Sequence, residues 1–438
     1  MRYLVFSSFI LLLAACNGDQ DRVNQATGTS SPVDQSAAAS DTDETTPATA
    51  VETASSDGSA GKPEETRVPE SDYQPALQNQ TRAPKPATSE AWTTETLAQG
   101  LEHPWGIDFL PNGDMLVSER PGRLRMVGVD GEISAPIAGV PTVDARNQGG
   151  LLDVTVAPDF ESSRMLMLSF SEPHPDDSNN TAVARARLSA DASELENVEV
   201  ILSQYPSVAS TGHFGSRVAF QDKDTIWVTM GDRQGDPVRK NAQDASNLIG
   251  TVARIRVDGS IPDDNPFAGH AENAPEIWSY GHRNIQAAAV HPRTGKLWTI
   301  EHGPRGGDEL NQPESGKNYG WPVISYGIEY RGGAVYDGIT EAEDMQQPVY
   351  YWDPVIAPSG MTFYTGDTFP AWQGDLFVGG LKSQRLSRLV LENDRVAAEE
   401  WLDIGQRVRD VLQGPDGLLY LLTDAADGRV MRIIPGSG

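Results

Sequence analysis

Six times along the chain, a short apolar run follows a turn built from Pro, Asp, Asn, Gly, Ser, Arg or Lys. The runs are Pro-Asn-Gly-Asp-Met-Leu-Val at 111–117, Ser-Ser-Arg-Met-Leu-Met-Leu at 162–168 and Asp-Lys-Asp-Thr-Ile-Trp-Val at 222–228. Arg-Thr-Gly-Lys-Leu-Trp-Thr at 293–299, Trp-Gln-Gly-Asp-Leu-Phe-Val at 372–378 and Pro-Asp-Gly-Leu-Leu-Tyr-Leu at 415–421 complete the set. Each run is too short for a helix and rich in strand formers, so each reads as a strand entered through a tight turn. With Leu116, Leu166, Trp227, Trp298, Phe377 and Tyr420 as equivalent positions, the gaps are 50, 61, 71, 79 and 43 residues. Two copies continue into second strands, Gly122-Arg-Leu-Arg-Met-Val and Gly428-Arg-Val-Met-Arg-Ile. Six copies predict an all-β fold, a six-bladed β-propeller with one small antiparallel sheet per blade. A pair of β-sandwiches would also give evenly spaced short strands. The aromatic residues of the repeat are expected in the core between blades. The unequal gaps put long insertions in blades three to five, where binding residues usually sit.

The repeat occupies only residues 91–438. Residues 1–15 show a different pattern: Arg2, then an apolar run from Tyr3 to Leu13 relieved by two serines. That run is about half of the roughly 20 residues a spanning helix needs, so it reads as an export signal. It ends in Leu13-Ala14-Ala15-Cys16, which resembles a bacterial lipobox and implies cleavage before Cys16 and lipidation there; an ordinary signal peptide with a chance cysteine is the alternative. Cys16 is the only cysteine of the 438 residues, which excludes a disulfide framework and multi-cysteine metal sites. The expected location is the periplasmic face of a bacterial membrane, and Asn17 leans towards the outer membrane. Residues 16–90 are poor in apolar side chains, and 17–90 carry thirteen acids against five bases. They are expected to be a disordered acidic tether. The whole chain has a formal net charge of −28, which argues against a nucleic-acid partner.

Polar clusters concentrate in the insertions. Arg407 and Arg409 flank Val408, so on a strand both guanidinium groups face one way and repel unless an anion lies between them; an isolated Arg-x-Arg would also suit a solvated strand edge. Asp308 and Glu309 stand among glycines and could give a hard oxygen site for Ca²⁺, or simply a solvated turn. His213, between Gly212 and Phe214-Gly215, has little room as a core residue and suits a general base, although a loop histidine bonded to backbone fits the same pattern.

Together the motifs resemble the PQQ-dependent soluble aldose sugar dehydrogenases of the glucose/sorbosone dehydrogenase family. The resemblance runs from about Leu97 to Pro435. It includes His103-Pro-Trp-Gly-Ile, Gln148-Gly-Gly-Leu-Leu-Asp, Gly212-His-Phe-Gly-Ser-Arg, Gly281-His-Arg-Asn, Glu301-His-Gly-Pro-Arg-Gly-Gly-Asp-Glu-Leu-Asn, Asn318-Tyr-Gly-Trp-Pro and Arg407-Val-Arg-Asp. It implies a six-bladed propeller and oxidation of aldoses at C1 to lactones. It makes His213 the general base, and Gln148, Arg283, Asn284, Lys382, Arg407 and Arg409 the holders of PQQ. Tyr330 and Trp352 would line the pocket. Gly303 and Pro304 would offer carbonyls to a Ca²⁺ bridging to PQQ, and Glu309 with the carbonyl of Tyr319 would hold a second Ca²⁺. PQQ carries three carboxylates and an ortho-quinone, which four cations could neutralise and polarise.

Two departures stand out. Arg283-Asn284-Ile285-Gln286 lacks the family's proline, loosening the loop that places Gln286. Gly212 stands where the glucose-specific branch has an acid, which points to a broader range of aldoses. The electron acceptor is unidentified, since no haem or iron–sulfur motif is present. A calcium-dependent propeller lactonase and a non-catalytic sugar- or protein-binding propeller are the competing readings. The lactonase needs a calcium in the central channel held by several Asn, Asp and Glu.

Overall fold

Each apolar run of the repeat is the second strand of a small antiparallel sheet. The six runs lie in strands Met115–Glu119, Met165–Pro173, Thr225–Met230, Leu297–Glu301, Leu376–Gly380 and Leu419–Thr423. A computed structural model describes residues 61–436, and the strands in it form a six-bladed β-propeller of five four-stranded sheets and one three-stranded sheet. The first strands, Pro104–Phe109, Leu151–Val156, Gly215–Phe220, Ile285–Val290, Pro358–Phe363 and Val408–Gln413, neighbour one another around the central axis. The ring is closed by the earliest strand, Trp92–Leu101, which pairs antiparallel with the last, Gly428–Pro435. Closure in this way leaves the first and last blades no open junction.

The equivalent positions of the repeat are buried, and the aromatic ones pack in the interblade cores as expected: Trp298 against Phe363, Phe377 against Trp372, Tyr420 against Phe109. Polar latches join neighbouring blades near the axis. Asp108 accepts the Val156 N–H at 2.7 Å, Asp153 the Val218 N–H at 2.8 Å, and Asp410 the Ile107 N–H at 3.2 Å. Arg217, buried at the centre, donates to Asp153 at 2.8 Å and Asp410 at 2.9 Å, so one guanidinium holds three blades together.

Of the expected disordered tether at 16–90, residues 61–90 are folded. The signal at 1–15, Cys16 and residues 17–60 lie outside the described residues. Residues 61–90, however, form a strap on blades four and five. Pro63 and Pro84 bridge antiparallel, and Ala83 and Gln80 are buried. The Tyr350 hydroxyl accepts the Ala83 N–H at 2.9 Å, Tyr351 donates its N–H to the Gln80 carbonyl at 2.8 Å, and Glu399 donates its N–H to the Pro84 carbonyl at 2.9 Å. Low apolar content gives such a segment no core of its own, but backbone and amide groups can still pair with groups that the propeller supplies.

Candidate active site

Antiparallel hairpins bring the start of each first strand and the end of each second strand to one face of the propeller. Gln148, His213, Arg283, Asn284 and Arg407 lie just before first strands. Arg120, Asp232, His302, Lys382 and Asp424 lie just after second strands. Backbone bonds stitch the two sets together: Asp232 N–H to the Arg283 carbonyl at 2.7 Å, His302 N–H to that of Asn284 at 3.1 Å, and Asp424 N–H to that of Arg407 at 2.8 Å. The predicted site residues that converge on this face are therefore placed by strand ends, which are rigid.

His213 is 5% exposed, and its backbone N–H donates to the Gln148 side-chain oxygen at 2.8 Å. Its Nδ1 lies 2.6 Å from Asp232 Oδ1, while Nε2 has no hydrogen bond among the described residues. Asp232 also accepts the Trp321 indole N–H at 2.7 Å and the Gln234 N–H at 2.9 Å, which fixes the carboxylate. A carboxylate at Nδ1 selects the Nδ1–H tautomer and leaves the Nε2 lone pair free to take a proton. Burial lowers the His213 pKa below 6.5, with Arg283 and Arg233 acting in the same direction and Asp232 against them. The imidazole is therefore neutral at pH 7. Gly231 permits this geometry, because a Cβ there would stand 1.8 Å from the His213 carbonyl oxygen.

Two buried cations keep unpaired donors. The Nε atoms of Arg283 and Arg409 are buried without a partner among the described residues, although Arg283 Nη1 reaches the His302 carbonyl at 2.9 Å. Arg407 and Arg409 share an anion from the chain itself: Asp424 lies 2.5 Å from Arg407 Nη2 and 3.3 Å from Arg409 Nη2. The Asp424 carboxyl is pressed well below the usual range by Arg409 and Arg407, which outweigh the effect of its burial. Lys382 is exposed in the turn after Leu376–Gly380. Asn284 is buried and accepts the Gly215 N–H at 3.1 Å. Gln286, after Ile285, donates to Asn284 at 3.2 Å and accepts from Arg409 at 3.3 Å.

Beside these groups, Glu301, Gly303, Pro304, Glu309 and Tyr319 line one small cavity. Asn311 donates to both carboxylates, at 3.0 Å to Glu301 and 3.3 Å to Glu309. Burial and the Glu301 charge push the Glu309 pKa well above its ordinary value. Two partly or fully buried acids with backbone carbonyls nearby are the donor set of a hard cation. No group of three or more His, Cys, Asp or Glu side chains is gathered for a metal among the described residues.

The family model described as Glucose / Sorbosone dehydrogenase matches residues 101–432. The chain belongs to the glucose/sorbosone dehydrogenase family. The aldose sugar dehydrogenase YliI of Escherichia coli (strain K12) is 44% identical over 345 residues, covering 78% of this chain and 92% of that protein. A crystal structure of a glucose dehydrogenase superposes with TM-score 0.76 at 47% identity, covering 79% of this chain and all of that one. The PQQ-bound aldose sugar dehydrogenase of Streptomyces coelicolor superposes with TM-score 0.64 at 26% identity, covering 79% and 99% of the two chains. The protein is an oxidoreductase of the sugar dehydrogenase class.

Of the two predicted lining residues, Trp352 stands elsewhere and Tyr330 makes no hydrogen bond to the site among the described residues. Trp352 is core: it packs on Tyr350, and its indole N–H donates to the buried Glu399 at 2.8 Å. Its place on the three-residue strand Tyr350–Trp352 points the ring between blades. Tyr330 is 45% exposed on a loop closed by the Glu329 N–H to Gly333 carbonyl bond at 2.9 Å, with no hydrogen bond to the site. Sequence reading missed Asp232 and Asp424. A signal for both was available: each follows its partner by one hairpin, 19 residues after His213 and 17 after Arg407.

Proposed function

We propose that the protein oxidises aldose sugars at C1 to lactones, with PQQ as cofactor and Ca²⁺ bound beside it. The observation that carries this reading is the His213–Asp232 pair set among buried arginines whose Nε donors lack partners. The guanidinium groups of Arg283 and Arg409, with Gln148 and Asn284, would suit a planar anionic group, because guanidinium forks match carboxylates. Arg283 and Arg409 would hold it, aided by Arg407 and by Lys382 from the rim. Asp424 offsets part of the charge of Arg407 and Arg409, so the excess cation available to a ligand is smaller than four. When bound, PQQ would supply a quinone as acceptor for the C1 hydride.

His213 Nε2 takes the proton of the anomeric hydroxyl, and Asp232 stabilises the imidazolium that forms. Gly303 and Pro304 would offer carbonyls to one Ca²⁺, and Glu309 with the Tyr319 carbonyl to another. Gly212 carries no carboxylate at the position before His213, which favours a broad range of aldoses. Export, lipidation at Cys16 and anchoring at the periplasmic face of a bacterial membrane, the outer one favoured, belong to the same proposal. The electron acceptor is unidentified.

The test is reconstitution of purified apoprotein with PQQ and Ca²⁺, followed by dye reduction with a panel of aldoses. Sugar-dependent dye reduction that requires PQQ is expected. Absence of both PQQ binding and turnover would refute the proposal.

A further inference from the structure

We infer that the strap is a positioning element for the Gly303–Gly307 loop, tying the chain ahead of the propeller to retention of the cation and cofactor. The inference rests on the proposed role of that loop. The loop lies between two walls. On one side Arg305 and Ile328 exchange backbone hydrogen bonds at 2.9 Å each. On the other, the Gly307 N–H donates to the Trp352 carbonyl at 2.9 Å. Asp353 packs directly on the loop, since a Cβ at Gly306 would stand 2.9 Å from its carboxylate.

The strap grips both walls and the loop itself. Every hydrogen bond to the buried Asp353 carboxylate among the described residues comes from it: Glu70 N–H at 2.8 Å, Ser71 N–H at 3.1 Å and Ser71 Oγ at 2.9 Å. Ser71 Oγ also reaches the Tyr326 carbonyl at 3.0 Å, and the Ala76 N–H donates to the Tyr326 hydroxyl at 3.2 Å. Glu70 pairs with Arg305, the exposed residue in the middle of the loop, at 2.5 Å. A buried carboxylate stripped of its donors is costly and must turn or recruit water. Without the strap, the group that backs Gly306 would shift, and Arg305 would lose its partner. Glu70 and Ser71 touch no proposed cofactor ligand except through the loop, so they are positioning residues.

The test uses the full chain carrying Glu70→Gln with Ser71→Ala, and Ser71→Thr as the conservative variant that keeps a hydroxyl. Hydrogen exchange of the apoprotein is followed by mass spectrometry, and Ca²⁺ binding by calorimetry. The double variant is expected to speed exchange about tenfold in peptides spanning 303–309 and 325–328, with blades one and six unchanged. Its Ca²⁺ affinity should fall about tenfold, and Ser71→Thr should restore most of both. Unchanged exchange in the loop peptides would overturn the inference, and so would uniformly faster exchange across all blades, which would mark a general stabilising role. If the wild-type protein binds no Ca²⁺, the proposed function suffers, while the exchange measurement on apoprotein still decides the role of the strap.

Discussion

Replacing Asp232 by Asn tests whether the His213–Asp232 pair works as proposed. The substitution keeps shape but removes charge, and one amide cannot accept from His213, Trp321 and Gln234 as the carboxylate does. A hydrogen bond to a charged group contributes about 1.5–3 kcal/mol. At about 1.4 kcal/mol per factor of ten, turnover should fall by roughly 10- to 150-fold. The sign of the pH effect is equally specific. Asp232 raises the His213 pKa, whereas burial, Arg283 and Arg233 lower it. The wild-type acid limb of kcat/KM should therefore lie below pH 6.5, and the variant's should move lower still. Steady-state rates with one aldose from pH 4.5 to 8 would measure both effects, and PQQ affinity should stay near wild type. An acid limb that moves up in the variant, or turnover within about twofold of wild type, would refute the assignment.

Arg409→Ala should weaken PQQ binding much more than Lys382→Ala, because Arg409 is buried with an unpaired Nε and Lys382 is exposed; fluorescence titration of the apoprotein would rank them. Glu309→Gln should reduce Ca²⁺ affinity and erase most of the rise in thermal midpoint that Ca²⁺ gives, a rise that follows binding to the folded state alone. Arg217→Met leaves Asp153 and Asp410 buried without their shared cation and should cost about 3–5 kcal/mol, read as a lower denaturation midpoint. His213→Ala should retain PQQ and lose most turnover in the dye assay.

The strands of the repeat were legible because turn chemistry and apolar runs coincide in each copy, as at Pro111–Val117 and Pro415–Leu421. Local pattern fixes a strand, and six strands of one kind imply a ring. Which site residues meet was partly legible too, since His213, Arg283 and Arg407 each stand before a first strand. Their partners were hidden by type: Asp232 and Asp424 follow strands at positions where an acid also suits an ordinary turn. Only the hairpin return of 17–19 residues separates a pocket carboxylate from a turn carboxylate. Trp352 misled for the opposite reason, because an aromatic residue near a site motif serves equally as core. The strap was invisible to composition, since its stability lies in acceptors and donors that the propeller provides, Asp353 and Tyr350 above all.

The structure also weighs the competing readings through its centre. A propeller lactonase needs a cation on the axis, held by several acids and amides. Here the axial acids Asp153 and Asp410 already hold the guanidinium of Arg217, which stacks 4.6 Å from the Trp105 ring. A second cation at those carboxylates would meet a fixed positive charge, and the desolvation cost of removing Arg217 from them is severe. Glu301 is engaged by His282 and the Arg283 N–H, so the acid left for a cation is Glu309, in the cavity it shares with Arg283 and Tyr319. A non-catalytic propeller would have no use for a buried neutral histidine whose free nitrogen is aimed by a triply bonded carboxylate. Net charge conceals this arrangement: a chain of −28 gathers Arg283, Arg407 and Arg409 at the face where His213 waits, and one acid, Asp424, tempers them. The Nε donors of Arg283 and Arg409 are buried without a partner among the described residues, which carries a desolvation cost.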